Sequence, residues 1–152
     1  MSWNAIAASD VQNEILPDEV AMLNTIQGAN TQLATILTKT VNKVRAQILV
    51  GGNQLDAAGT VPDQLWQEVI AMARWRWFTS LPNTDLCSDR RKEQYEAATE
   101  TMQDIAAGKD KSGRAVKVEL PNPATALPLS GPAGQMQATS GRRKTRGMGG
   151  AL

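Results

Sequence analysis

Apolar residues recur at helical spacing between Asn30 and Val50. They follow one another at intervals of four, four, three and four residues: Leu33, Leu37, Val41, Val44 and Ile48. This spacing places them on one face of a 3.6-residue helix, and Gly51 and Gly52 provide its stop. Many of the other positions are Thr, Asn and Gln, which are weak helix formers. The pattern therefore predicts a helix that depends mainly on packing for its stability.

The most apolar stretch of the chain runs from Thr60 to Leu81 and holds four of the six aromatic residues. Thr60 is a suitable N-cap, Pro62 suits a first helical turn, and Pro82 marks the exit. One face of this helix is predicted to contain Trp66, Ile70, Ala73, Trp77 and Leu81. Because other apolar residues widen that face, we expect a central helix that is covered from several sides, with Trp66 and Trp77 in the core.

Arg76 falls inside the apolar arc of this helix, whereas Arg74 and Trp75 fall outside it. A buried arginine needs a carboxylate or several carbonyl groups around it. We therefore expect Arg76 either to form an ion pair with Glu14 or Glu96, or to extend its guanidinium to the surface.

Weaker helical patterns lie on both sides of these two segments. The region from Ser9 to Gln27 is predicted to form two short helices broken at Pro17, the first capped by Ser9. Ser88 is predicted to cap a last helix from Asp89 to Ala107, with a start one turn earlier near Thr84 as the alternative, and Gly108 ends it. Its inward residues are expected to be Tyr95, Ala98, Met102, Ile105 and Ala106. Residues 1–108 are thus predicted to form one helical domain.

The remaining 44 residues, 109–152, have a different composition, with four prolines among Gly, Ser and Thr. Such a segment does not continue a packed bundle. Val116, Val118 and Leu120 alternate with charged residues, which predicts a short strand that joins a sheet edge in another chain. The predicted fold class is therefore all-α: a small three- to four-helix bundle with an extended C-terminal arm that contains a short β-strand.

The composition disfavours catalysis. The chain has no histidine and one cysteine, so neither a Ser-His-Asp triad nor a common zinc site can be assembled. It also lacks a Gly-rich phosphate loop of the GxxxxGK[ST] type. We expect a protein that is not an enzyme and has no cofactor or metal. No apolar run reaches the roughly 20 residues of a membrane span, and the N-terminus lacks the pattern of a secretory leader, so we expect cytoplasmic synthesis and no membrane partner.

The charge is divided between the two regions. Residues 1–108 carry 8 Lys and Arg against 13 Asp and Glu, whereas residues 109–152 carry 8 against 2. The net charges of the two regions are −5 and +6, and such a division is typical of interaction proteins. The basic tip of the arm consists of Arg142, Arg143, Lys144 and Arg146. It could contact phosphates, bind an acidic protein surface or keep the arm in solution, and no interleaved aromatic residue supports base stacking.

Two stretches resemble the head–tail connector (adaptor) proteins of tailed bacteriophages: VPDQLWQEVIAMARWRW at 61–77 and EQYEAATETMQDIAAGK at 93–109. In that family a P-x-x-L start opens an apolar central helix, and the last helix carries a Tyr followed by an Ile and a Gly-Lys ending. The resemblance covers roughly residues 9–109. The arm is not matched residue by residue.

The resemblance implies a structural virion protein in the phage neck. Such proteins assemble as a ring, usually of twelve subunits, beneath the portal protein. The ring continues the channel for double-stranded DNA and presents a surface to the next neck or tail protein. A C-terminal arm typically grips the portal, a role that we carry over in general terms to Val116, Val118, Leu120 and the basic tip.

Two further groups are candidate interaction sites. Trp75, beside Arg74, is a candidate for a subunit interface, because exposed Trp and Arg commonly anchor interfaces. Trp3, ahead of the first helix, could dock either on the body or on a neighbouring subunit. The acids of the last helix, Glu93, Glu96, Glu100 and Asp104, are candidates for lining the channel, where they would repel DNA. Their ordinary alternative is a solvated helix face. The alternative function is a small nucleic-acid-binding protein that acts through its basic tail.

Overall fold

The computed structural model describes residues 2–82 and 85–122, which are mostly helical. The helices are α1 (Ala8–Asn13), α2 (Pro17–Asn24), α3 (Ala29–Val50), α4 (Trp66–Ser80) and α5 (Asp89–Ala107). Strands β1 (Trp3–Ala5) and β2 (Thr60–Pro62) form an antiparallel pair. The helical class predicted from the sequence is therefore confirmed in its coarse form, but the described part of the chain is not all-α.

Helix α3 confirms the periodic pattern. Every member of its predicted stripe is buried: Leu33, Leu37, Val41, Val44 and Ile48. The helix begins after Gly28, whose left-handed φ of 79° turns the chain out of α2. It ends at Gly51 and Gly52, as predicted. Packing against α4 and α5 thus stabilises a helix of modest intrinsic propensity.

Helix α4 begins later than predicted, at Trp66. Thr60 to Pro62 instead form β2, with Trp3 opposite Pro62 and Ala5 opposite Thr60. Asp63 does not act in a helix cap: its carboxylate accepts from Ser2 Oγ and Asn4 Nδ2, which hold the pKa of Asp63 below its ordinary value. The prediction of Thr60 as an N-cap was wrong because the N-terminal strand pairs with this segment.

The structure confirms the prediction of two short helices in the N-terminal region, separated at Pro17. The predicted cap of the first was wrong by two residues. Ala7 is the N-cap, Ser9 lies inside α1, and the Asp10 carboxylate accepts from the Ala7 N–H at 2.7 Å. Asp10, in the third helical position, can reach back to the N-cap N–H, whereas Ser9, in the second position, lies inside the helix.

Helix α5 has the predicted bounds. Ser88 Oγ accepts from the Arg91 N–H, and Gly108 adopts a left-handed φ of 77° at the other end. Ala98, Met102 and Ile105 are buried in the core. The two other predicted inward residues, Tyr95 and Ala106, are half-buried.

The core lies where α3, α4 and α5 meet. Trp77 is fully buried there, as predicted, whereas Trp66 is only half-buried at the edge, so its assignment to the core interior was wrong. The Trp77 indole N–H donates to the Ala29 carbonyl at 2.9 Å, joining α4 to the start of α3. Within the described ranges, none of the helices has the length and apolar character needed to cross a bilayer.

Candidate partner-binding surface

The chain reverses direction after α5. Asp110 shapes this turn: its Oδ1 accepts from the Ser112 N–H, the Ser112 hydroxyl and the Arg114 N–H. These donors hold the pKa of Asp110 below its ordinary value, the Ser112 side chain contributing most. Lys109 and Ala115 form an isolated antiparallel bridge across the turn. As a result, residues 116–122 run back over the helical body.

The segment 109–122, here called the arm root, is attached to the body by side chains from three distant places. Gln64 Nε2 donates to the Lys117 carbonyl at 3.0 Å, and Trp3 Nε1 donates to the Glu119 carbonyl at 3.2 Å. The Asn122 N–H donates to the Asp56 carboxylate at 3.1 Å. These contacts hold the backbone of the arm root through side chains rather than through a sheet.

The predicted strand in the arm was expected to join a sheet edge in another chain, so it stays a prediction. Within the described residues, 116–120 pair with no strand, and the Lys117 and Glu119 carbonyls accept from side chains of the body. Val118 is buried at 6% exposure, Val116 is half-buried and Leu120 is 81% exposed. Leu120 is thus the apolar residue of this segment that stays available to a partner. The basic tip, Arg142, Arg143, Lys144 and Arg146, lies outside the described residues.

A buried arginine lies beneath the arm root. Arg45 donates to the carbonyls of Thr60 and Asp56, and its guanidinium lies 6.0 Å from the centre of the Trp3 ring. Burial lowers the pKa of Arg45, and the charge of Asp56 opposes that shift. Sequence reasoning missed this residue. The sequence feature that could have identified Arg45 is its charge within the apolar stripe of α3, between Val44 and Ile48.

For Trp3 the sequence left two alternatives, docking on the body of its own chain or contact with a neighbouring subunit. The structure places its side chain inside the chain's own fold, at 8% exposure, between Arg45 and the arm root. Little of Trp3 is left for a neighbouring subunit in this fold. Its contact with another copy stays a prediction.

Of the two arginines of α4, the structure buries Arg74, which was predicted to lie outside the apolar arc. Arg74 is 9% exposed, and its Nη groups donate to the Glu14 carbonyl and to Gln94 Oε1, whereas Arg76 is half-exposed. The described ion pairs include none between Arg76 and Glu14 or Glu96, and the half-exposed side chain of Arg76 fits the other alternative, extension toward the surface. Helix α4 is apolar on most sides, so its own sequence does not specify which arginine is buried. The packing of the neighbouring helices determines it.

Trp75 lies beside Arg74 on the face of α4 that meets α5. Its ring stacks on Tyr95, with centroids 6.1 Å apart and planes inclined by 29°. Both residues remain half-exposed. Trp75 is therefore the member of the predicted subunit interface that still presents aromatic surface, and the interface itself stays a prediction.

The acids of α5 are distributed between solvent and the arm root. Glu93 and Glu96 are exposed, and Glu96 lies 4.0 Å from Lys92. Glu100 and Asp104 are half-exposed; Glu100 pairs with Lys111 of the arm root, which raises the pKa of that lysine. The predicted channel-lining role needs an assembled ring and stays a prediction. In the single chain, these acids form a solvated face of α5 whose charge is partly neutralised by Lys92 and Lys111.

An ion pair joins α2 to α5. The Arg91 guanidinium donates to both carboxylate oxygens of Glu19, at 2.7 and 3.1 Å, and to the Leu86 carbonyl at 2.8 Å. It also lies 5.0 Å from the Phe78 ring centre. The hydrogen bond from Arg91 is the main cause that lowers the pKa of Glu19.

Glu19→Gln is expected to reduce the free energy of unfolding at pH 7 by about 1 kcal/mol, because a bidentate, charge-assisted pair is lost. Since the folded-state pKa of Glu19 is lowered, its contribution is complete above the ordinary pKa of 4.5 and declines as pH falls below it. Urea unfolding between pH 7 and 3 should therefore show the variant losing less stability on acidification than the natural protein. Glu96→Gln, at the exposed pair with Lys92, is the control and should change stability by less than about 0.5 kcal/mol. An equal pH dependence in Glu19→Gln and the natural protein would contradict the assignment.

Across residues 2–82 and 85–122, no group of three or more His, Cys, Asp or Glu side chains is arranged to hold a metal ion. The structure instead brings together two buried arginines, Arg45 and Arg74, and the side chains that hold the arm root on the body. Comparisons with family models, with curated proteins and with solved structures find no match.

Proposed function

We propose that this chain is a structural protein of a phage neck, forming a ring that joins the portal protein to the next neck or tail protein and continues the DNA channel. The observation that carries the proposal is the division of the chain into an acidic helical body and a basic arm. The likeness of residues 61–77 and 93–109 to head–tail connectors supports it. Under this proposal the protein acts in the virion as one of a ring of identical subunits and has no catalytic role.

The contacts of the arm root are consistent with such a division of labour. Gln64, Trp3 and Asp56 hold residues 117–122 on the body. Residues 123–152, which carry the basic tip, follow directly in sequence. In this proposal the body forms the ring, and the chain beyond Asn122 binds the portal.

A truncation at Asn122 tests the role of the arm without disturbing the body. Cutting at Gly108 would also remove Val118, which is buried, so a loss of binding could reflect a damaged fold. We expect the full chain to co-sediment with the portal protein of the same phage and the chain ending at Asn122 to lose at least about tenfold in affinity, equivalent to about 1.4 kcal/mol. Equal thermal midpoints for the two chains would show that the body is intact.

The matched control keeps the arm at full length and removes only the charge of its tip. It combines four substitutions: Arg142→Gln, Arg143→Gln, Lys144→Gln and Arg146→Gln. If this variant binds as the full chain does while the truncated chain does not, apolar and backbone contacts of the arm hold the portal. Equal binding by the full and truncated chains would contradict the proposed role of the arm, and failure of the full chain to bind would contradict the connector function.

The nucleic-acid alternative rests on the +6 balance of residues 109–152 and predicts a different result. The full chain alone would then bind duplex DNA, and its affinity would fall steeply with salt because phosphate contacts release counterions. The same four substitutions should abolish that binding. DNA affinity of this kind, together with no portal binding, would favour the alternative.

A further inference from the structure

Helix α3 presents short side chains to solvent along most of its length. Its exposed positions follow one another at helical spacing: Thr31, Thr35, Thr38, Asn42 and Ala46. Threonine and asparagine are weak helix formers, and an exposed helix face is better stabilised by longer residues such as Glu, Lys and Gln. Helix stability therefore does not account for this composition. Short side chains instead allow a second helix to approach closely, and they lose little rotamer freedom when they are covered.

The same face is basic. Helix α3 contains no Asp or Glu, and Lys39 and Lys43 are exposed along one side of the short residues. Neither lysine forms a salt bridge within the part of the chain that the structure describes. A shallow depression lies beside Lys39, and its lining includes Gly28, Ile36 and Ser80. The outer face of α3 thus combines an open depression with two unpaired cations.

Helix α5 carries a face of the opposite charge. Its outward positions at helical spacing are Asp89, Glu93, Glu96, Glu100 and Gln103. Glu100 is paired with Lys111, but Glu93 forms no salt bridge among the described residues. Glu96 lies 4.0 Å from Lys92, a long contact between two exposed side chains that contributes little. Glu93 and Glu96 therefore remain available to cations of another molecule.

The charged residues of the two faces lie at matching positions along their helices. The C-terminal ends of α3 and α5 meet where Gly51 approaches the Ile105 carbonyl. Lys39 lies twelve residues before Gly51, and Glu93 lies twelve residues before Ile105. Because the rise per residue is the same in both helices, a rotation about an axis along the bundle brings Lys39 level with Glu93 of the next copy. The second lysine and the second glutamate follow after four and three residues, so they meet as well.

We propose that the outer face of α3 binds the outer face of α5 in a second copy of this chain. Four residues form the charged pairs: Lys39 and Lys43 on one copy, Glu93 and Glu96 on the next. The contact joins two different faces, and a contact of this kind closes a ring when it is repeated by rotation. A symmetric contact between two α3 faces would instead bring lysines together, which is unfavourable. The inference rests on the ring of the proposed function and assigns the surfaces that form it, so the two glutamates face a neighbouring subunit rather than the channel.

Two double variants of the full chain test the contact by reversing one face each. Lys39→Glu with Lys43→Glu makes the α3 face acidic, and Glu93→Lys with Glu96→Lys makes the α5 face basic. Each variant alone presents like charges at the contact, so we expect its self-association to weaken at least about tenfold in sedimentation velocity over a range of concentrations. An equimolar mixture of the two variants should regain the association, because every contact then joins an acidic face to a basic one.

The matched control is Lys109→Glu with Lys117→Glu. It changes the net charge by the same amount at exposed positions outside both faces, and it should leave self-association unchanged. Because every substituted side chain is exposed, helical circular dichroism should be unchanged in all three variants.

Disulfide trapping detects the contact even where association is weak. In a Cys87→Ser background, Thr35→Cys and Asp89→Cys place one thiol on each face, both sixteen residues before the contact of Gly51 with Ile105. Under mild oxidation the chain with both cysteines should give a ladder of covalent oligomers. Either cysteine alone should give only monomer, because a face does not meet its own copy.

The proposal is overturned if the Glu93→Lys, Glu96→Lys variant self-associates as the natural protein does, if the mixture of variants stays monomeric, or if the double-cysteine chain gives no ladder. These outcomes are separate from portal binding. Rings that persist in the charge variants and bind the portal would exclude this interface but leave the proposed function. Rescue by mixing, together with no portal binding by the natural chain, would retain the interface and contradict the neck function.

Discussion

Trp77→Ala is expected to lower the free energy of unfolding by about 3–5 kcal/mol, a large share of the 5–15 kcal/mol typical of a domain. Trp77 is fully buried where α3, α4 and α5 meet. Its ring stacks against Phe78 at 5.7 Å, and its indole N–H donates to the Ala29 carbonyl. Removing it would leave a cavity among three helices and also break the link between α4 and the start of α3. Urea unfolding followed by circular dichroism measures the loss.

Trp75→Ala is the matched control on the same helix. Its ring stacks on Tyr95 but stays half-exposed, so the expected loss is about 0.5–1.5 kcal/mol. Trp77→Phe should fall between the two, since most of the buried ring remains and one hydrogen bond is lost. Similar losses for Trp75→Ala and Trp77→Ala would show that the core is not centred on Trp77.

Gly51→Ala is expected to destabilise the protein by about 3 kcal/mol, the upper end of the usual cost of overpacking. A Cβ at Gly51 would lie 2.0 Å from the Ile105 carbonyl oxygen, an atom of the α5 backbone. A rotamer change cannot relieve that overlap, so the C-terminal ends of α3 and α5 would have to separate. The thermal midpoint and the urea midpoint should both fall.

Gly52→Ala provides the contrast one residue further on. Gly52 has a left-handed φ of 87°, and a Cβ there would meet no atom within 4 Å. Its expected cost is the backbone strain of about 1–2 kcal/mol. If Gly52→Ala proved the more damaging of the two, backbone conformation and not the close approach of α3 to α5 would govern this end of the bundle.

Helices α3 and α5 were predictable because their signals are local. A long apolar stripe, a serine cap and glycine stops act through the residues next to them, and the structure uses them as predicted. The start of α4 was not predictable on the same basis. Thr60 and Pro62 carry good helix-start signals, but this segment forms a strand. It pairs with β1, which begins at Trp3, and the Thr60 carbonyl accepts from the buried guanidinium of Arg45.

The candidate site followed the same division. The sequence indicated Arg74, Trp75 and the alternating residues of the arm as positions of interest. The burial of Arg74 and its hydrogen bonds to Glu14 and Gln94 depend on α1 and α5 packing against α4. Likewise, Val118 is buried because Trp3, Gln64 and Asp56 draw the arm root onto the body.

The sequence by itself determined the helical class, the positions of α3 and α5, the breaks at Pro17 and Gly51, and the opposite charges of the two regions. These features depend on spacing, capping and charge counts, which act over a few residues or by simple summation. The tertiary structure alone decided the β1–β2 pairing, which arginine of α4 is buried, and the path of the arm root. Those outcomes depend on contacts between residues far apart in sequence, and no local pattern specifies which distant group will provide the burial or the hydrogen bond.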